Sequence, residues 1–216
     1  YNPQGDILAP VTKEDGLSNN IVSSVLVDKA GKLWVGTADG LDCLEQGKFT
    51  RYTVKDGLPD NNIKTIFQDS RGNLWVGTQQ GLSKIRARTG SPVQMETITV
   101  NEGLNDNYIR YVREDKHGSI WVATPKGLNR IRRNKIESFT STDGLRDDSL
   151  LALFEDNWGN LWIGSSGGGL EALRDGKFMF YTRKDGLSGS HIKAVFHDSR
   201  GALWIGTEGS GLNRYK

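Results

Sequence analysis

The chain has 216 residues, of which 36% are hydrophobic and 25% charged, so it is not a disordered polymer and is long enough for one sizeable domain or two small ones. A net charge of +2 gives no electrostatic reason to expect nucleic acid or an anionic membrane as a partner. One cysteine, Cys43, excludes an intramolecular disulfide and a cysteine-based metal site, and 27 glycines against 5 prolines point to many tight turns rather than long helices. No run approaches the ~18 consecutive apolar residues of a membrane span, and the opening "YNPQGDILAP" does not read as a signal peptide.

In chain order, the first element is "DILAPVTKEDGL", where Leu8 and Val11 lie eight and five residues before Gly16. Phe49 and Tyr52 precede Gly57 by the same distances, so residues 7–12 are predicted to be a strand of the type that ends each later unit. "DGL" or "EGL" then recurs at Gly16, Gly57, Gly103, Gly144 and Gly186, with intervals of 41, 46, 41 and 42 residues. Trp34, Trp75, Trp121, Trp162 and Trp204 each follow the matching glycine by 18 residues. Five units therefore share an ungapped central block.

Each unit carries four short apolar runs separated by turns. Strand A is typified by Ile63, Ile66 and Phe67, strand B by "LWVGT" around Trp75, strand C by the run containing Ile85, and strand D by "KFTRYT" with Phe49 and Tyr52. Four strands in ~40 to 45 residues is the periodicity of a β-propeller blade. The expected fold is thus an all-β propeller of five four-stranded antiparallel blades, forming a single domain over residues 1–216. The chain ends at strand C of the fifth unit, so the N-terminal strand is expected to pair with the last blade and close the ring.

Between strands A and B every unit reads Asp-x-x-Gly, starting at Asp28, Asp69, Asp115, Asp156 and Asp198. Aspartate first and glycine fourth suit a type I turn with a left-handed last residue, and a calcium loop would need more oxygen ligands. The five spaced tryptophans read as core; the sixth, Trp158, sits inside a turn and is expected to be exposed.

The unit "DGLPDNNIKTIFQDSRGNLWVGTQQGLSKI" resembles the two-component regulator propeller repeat, and the likeness runs over nearly the whole chain. That resemblance implies the extracytoplasmic sensor region of a bacterial signalling protein, and hence a periplasmic or extracellular location. It also implies larger rings, commonly seven-bladed, followed by a β-sandwich, a membrane helix and an output domain.

Propellers bind ligands at the end formed by the D–A and B–C loops. The varying positions there are Asn20, Asn61, Asn107, Asp148 and Ser190, followed by Ile21, Asn62, Tyr108, Ser149 and His191. One residue into strand A stand Ser23, Lys64, Arg110, Leu151 and Lys193, where Lys64, Arg110 and Lys193 converge if the strands surround an axis. The candidate ligand-binding set is Asn20, Asn61, Asn62, Lys64, Asn107, Tyr108, Arg110, Asp148, His191 and Lys193. The cations either attract an anion or neutralise Asp60, Asp106 and Asp147 nearby.

The expected function is a non-catalytic sensory or ligand-binding module for a small polar or saccharide ligand, without cofactor, metal, nucleic acid or direct membrane contact. Oligomerisation is expected if five blades do not close as a monomer. The alternatives are a lectin-like propeller with one sugar site per blade, a scaffold without its own function, and a glycoside hydrolase using two of Asp60, Asp106, Asp147, Asp148 and Glu208. Three dispersed histidines form no ligand cluster, and the glycine-rich "SSGGGL" lacks the lysine of a phosphate loop.

Overall fold

The computed structural model describes residues 9–86 and 93–215. It consists of five antiparallel sheets in which neighbouring strands are consecutive in sequence. Blade 1 holds β1 (Val22–Val27), β2 (Leu33–Thr37), β3 (Leu41–Glu45) and β4 (Lys48–Tyr52); blade 2 holds β5 (Ile63–Gln68), β6 (Leu74–Thr78), β7 (Leu82–Arg86) and β8 (Gln94–Ile98). Blade 3 follows with β9 (Tyr111–Glu114), β10 (Ile120–Thr124), β11 (Gly127–Arg132) and β12 (Lys135–Phe139), and blade 4 with β13 (Leu150–Glu155), β14 (Leu161–Ser165), β15 (Leu170–Arg174) and β16 (Lys177–Tyr181). Blade 5 has three strands among the described residues, β17 (Ile192–His197), β18 (Leu203–Thr207) and β19 (Leu212–Tyr215).

The expected ring closure is not shown by the structure. Leu8 lies outside the described residues, while Ala9–Val11 belong to no strand, Val11 is 54% exposed, and β19 has no neighbour on its outer side among the described residues.

The segment between blades has a local cause that the sequence reading missed. Thr12, Thr53, Thr140 and Thr182 each cap a short 3-10 turn, and the aspartate of the following "DGL" returns the bond to the threonine amide. Glu102 does the same for Thr99 at 2.7 Å. The glycine then takes φ near +110°, as at Gly16 and Gly57, a left-handed conformation that glycine adopts without strain.

Blades join by a repeated fit. In blades 1, 2 and 4 the second strand carries glycine where a Cβ would collide with a residue at the start of the next blade: 2.6 Å from Ile63 at Gly36, 2.6 Å from Ile109 at Gly77, and 2.7 Å from Ile192 at Gly164. In blade 3 this position is Ala123, and the facing residue is Leu150 rather than a β-branched one; both are fully buried. Trp34, Trp75, Trp121 and Trp162 pack into the core shared with the following blade, at 1–5% exposure. Trp158 is 60% exposed, as expected, with its ring edge-on to His197 at 5.0 Å.

Candidate functional site

The D–A and B–C loops lie together at one end of the blades. Backbone bonds join Ala38 to Ile21, Gln79 to Asn62, Ser166 to Ser149 and Glu208 to His191, at 2.9 to 3.2 Å. The Asp-x-x-Gly turns lie at the opposite end of each first strand, where the aspartate accepts from its own turn: Asp69 takes the amides of Arg71 and Asn73 at 3.0 and 2.8 Å.

The candidate residues separate into two groups. Asn20, Asn61, Asn107 and Asp148 each use a side-chain oxygen to accept the amide seven residues earlier, from Lys13, Val54, Val100 and Ser141, at 2.6 to 2.9 Å. Those four oxygens hold the D–A loop in place. Asn62 donates to Gln79 at 3.3 Å, and His191 lies between the Ser166 carbonyl at 2.7 Å and a Glu208 carboxylate oxygen at 2.7 Å.

Lys64, Tyr108, Arg110 and Lys193 are brought together. They line an open cavity of about 720 Å³ bordered by the first strands of all five blades, with Ser23 and Leu151 contributed by blades 1 and 4. The backbone explains why. Ser23, Lys64, Leu151 and Lys193 each occupy a bulge, where the ladder skips a residue between Val22 and Ser24, Ile63 and Thr65, Leu150 and Ala152, or Ile192 and Ala194. A bulge re-aims the extra side chain, here into the shared space.

Arg113 adds a cation that the sequence reading did not single out. It lines the same cavity with its guanidinium 5.5 Å from the Phe67 ring, and burial pulls its pKa below the usual value. Among the described residues four cationic side chains thus border the space and no carboxylate does.

Their own contacts leave charge to offer. The Lys64 ammonium sits 5.3 Å from the centroid of the Tyr108 ring, and Arg110 donates to the Leu150 carbonyl at 2.7 Å and to Ser149 Oγ at 3.2 Å. Lys193 is 3.5 Å from Glu208 at the rim. The aspartates are employed otherwise: Asp60, Asp106 and Asp147 accept the amides of Asn62, Tyr108 and Ser149 at 2.8 to 2.9 Å, and Asp106 pairs with Lys126 at 2.9 Å. Hydrogen bonds from the Tyr108 amide and Lys126 hold the Asp106 carboxyl below the usual range against the opposing effect of burial, which is the largest single contribution. Among the described residues no group of three or more histidine, cysteine, aspartate or glutamate side chains could hold a metal ion, and no helix is long and apolar enough to cross a membrane.

The model of the two component regulator propeller matches residues 16–39, 57–80, 103–126, 144–167 and 186–209, which is more than half of the chain. The chain belongs to that family. The five matches start at the five "DGL" or "EGL" glycines, so the family's repeat is the unit of this fold.

Among solved structures the family member is similar to the extracellular domain of a protein described as a hybrid two component system from B. thetaiotaomicron, at 31% identity and a TM-score of 0.77. The match covers 94% of this chain and 27% of that one, so this chain spans about a quarter of its relative. It also resembles PorZ, a surface component of the type-IX secretion system of Porphyromonas gingivalis, at 17% identity and TM-score 0.71, covering 100% of this chain and 34% of that one. Virginiamycin B lyase from Staphylococcus aureus matches at 18% identity and TM-score 0.67, over 90% of this chain and 69% of that one. The last two likenesses are of fold alone. No curated protein matches the chain.

Proposed function

We propose that this domain is a sensory, non-catalytic ligand-binding module of an extracytoplasmic signalling protein, and that its central cavity takes a small polar ligand carrying negative charge, such as an acidic saccharide. The observation that carries the reading is the lining of the 720 Å³ cavity by Lys64, Arg110, Arg113 and Lys193 with no carboxylate among the lining residues. Cations that share a low-dielectric concavity focus their field on it and favour carboxylate or sulfate groups. Tyr108 beside Lys64 adds an aromatic face for a sugar ring. The sensory part draws on the likeness to an extracellular domain of a two component system.

A lectin-like arrangement of equal sites is less well supported, because the bulge position reads Ser23, Lys64, Leu151 and Lys193 in four different blades. The test is calorimetric titration with an oligogalacturonate and with a neutral oligosaccharide of equal length. Binding of the acidic ligand alone, at one per chain and weakened by salt, is expected. Equal binding of the neutral one, or one site per blade, would replace the reading.

A further inference from the structure

The end that carries the D–A and B–C loops has a second concavity, whose lining shares no residue with that of the central one. It is a groove of about 520 Å³ between the loop entering blade 4, the loop joining β14 to β15, and the turn leading from β16 into blade 5. Arg146, Arg183 and Lys184 line it, together with Phe180 and the backbone of Gly167 and Gly168. All three cationic residues are exposed, and none takes part in an ion pair among the described residues. The carboxylate in the lining, Asp185, is committed to the Thr182 amide and hydroxyl at 2.9 and 2.8 Å.

Comparison between the repeats shows how far blade 4 departs from the rest. The positions of Arg146, Phe180, Arg183 and Lys184 hold Pro59, Thr97, Val100 and Asn101 in blade 2 and Asn105, Ser138, Ser141 and Thr142 in blade 3, with no cation and no aromatic ring in either. Blade 1 has two cations there, Arg51 and Lys55, but no ring, and Arg51 is already bonded to the Asp39 carbonyl. Phe180 is 39% exposed. One exposed ring is ordinary, but a ring that shares a concavity with three unpaired cations has the make-up of a binding site.

The groove is also held in shape. Blade 4 has one residue more between β14 and β15 than blades 1 to 3, and Asp147 fixes that longer loop by accepting from the Gly168 amide at 3.2 Å and from Ser166 Oγ at 3.1 Å. A Cβ on Gly168 would come within 3.0 Å of Asp147 Cβ and 3.2 Å of Arg146 Cβ, so the glycine backbone makes a close wall. Buried Glu171 accepts the Arg146 amide at 3.2 Å and anchors the chain beneath the guanidinium stem. The openness belongs to the repeat itself: Val54, at the position of Arg183, is 49% exposed with all four strands of blade 2 in place.

Ser190 lines the groove and Lys193 the central cavity, three residues apart in the chain, so their Cα atoms lie within ~11 Å of each other. We infer that the groove is a second subsite for the ligand of the central cavity: an acidic oligosaccharide seated there extends past Ser190, lays a further uronic acid ring against Phe180, and presents its carboxylate to Arg146 and Arg183. Guanidinium forks match a carboxylate in two parallel bonds, and the aromatic face takes the apolar side of the sugar. The inference rests on the acidic-saccharide reading of the cavity and adds to it a preference for longer chains.

Calorimetric titration with digalacturonate and with hexagalacturonate separates the two subsites. The longer chain is expected to bind at least tenfold tighter, at one per protein chain. Arg146→Ser and Phe180→Thr install residues that other blades carry at these positions, as Ser18 and Thr97 show. Each is expected to lower hexagalacturonate affinity about tenfold and to leave digalacturonate affinity and the circular dichroism spectrum unchanged, whereas Lys64→Met weakens both ligands. Equal affinity for the two lengths, or hexagalacturonate binding indifferent to Arg146→Ser and Phe180→Thr, would overturn the subsite and leave the cavity reading standing. Binding that depends on Arg146 and Phe180 but not on Lys64 would overturn the cavity reading and the shared ligand with it.

Discussion

The indole N–H of Trp75 donates to Oδ2 of Asp69 at 2.9 Å, and the same carboxylate accepts three further bonds from Arg71 and Asn73. The pair recurs at 2.8 Å as Trp34 with Asp28, Trp121 with Asp115, Trp162 with Asp156 and Trp204 with Asp198. One carboxylate therefore closes the hairpin turn and fixes the tryptophan of the core strand. The turn motif is scaffold, and its acidic residue is committed to the fold.

Asp69→Ala leaves a buried indole N–H and two turn amides without their acceptor. Unpaired buried donors cost ~1 to 3 kcal/mol each, less where water can reach them, so a loss of about 2 to 4 kcal/mol is expected in urea unfolding. Asp69→Asn, which keeps one acceptor oxygen, is expected to lose less. Neither should alter affinity at the central cavity, because Asp69 is not among the residues that line it.

The pairing of Gly77 with Ile109, set against Ala123 with Leu150, gives a compensation test. A methyl at Gly77 would approach Ile109 Cγ2 to 2.6 Å and Thr65 Cγ2 to 2.7 Å. Overpacking of this kind costs ~1 to 3 kcal/mol. Gly77→Ala is expected to lower stability by about that amount, and Ile109→Leu in the same chain to restore part of it, as a double-mutant cycle would show. Gly206→Ala is expected to be nearly neutral.

Glu171 is fully buried in β15 and its oxygens accept the Arg146 amide at 3.2 Å. Burial pushes its pKa up to about 7 from an ordinary 4.5. The native state then binds the proton more tightly than the unfolded chain, so this group's contribution to stability is complete below about pH 4.5 and is lost as pH rises through about 7. The difference is at most about 3 kcal/mol. Asn129 at the equivalent position of blade 3 accepts the Asn105 amide at 3.1 Å with no charge to bury. Glu171→Gln is accordingly expected to raise the melting temperature at pH 8 and to have little effect at pH 4.5; an equal effect at both would remove the charge argument.

The strands and turns were legible because their causes are local: alternating apolar residues, Asp-x-x-Gly turns, and a tryptophan at fixed spacing. The threonine-to-acid capping box was also written in the sequence, three residues before each "DGL" glycine's neighbour, as in Thr53 and Asp56. The roles of Asn20, Asn61, Asn107 and Asp148 were harder to read, because an amide seven residues away is found only once the turn is folded. Bulges are set by how two strands meet, so the turning of Lys64 and Lys193 toward one space followed from phase alone, whereas Arg113 escaped notice altogether. The polar position of strand C shows the same limit: Asp42 accepts from the Ser18 amide, while in blade 2 Pro59 stands at the position of Ser18 with no amide hydrogen to offer and the buried Ser83 hydroxyl has no hydrogen-bond partner among the described residues.

Charge at the cavity can be varied in both directions without touching the core. Lys64 is held by an aromatic ring rather than by a carboxylate, so Lys64→Met removes one cation and frees no buried acid. A cation facing an anionic ligand in a partly enclosed site is worth ~1 to 2 kcal/mol, and about a tenfold loss of affinity for an oligogalacturonate is expected at low salt. Lys193 is partly neutralised by Glu208, whose side chain is 58% exposed. Glu208→Gln should therefore free Lys193 and tighten binding severalfold, with the gain shrinking as ionic strength rises. Calorimetry of both variants against the wild type checks the pair. Opposite shifts identify the cavity charge as the cause, whereas loss of binding in both would assign Glu208 to ligand contact instead.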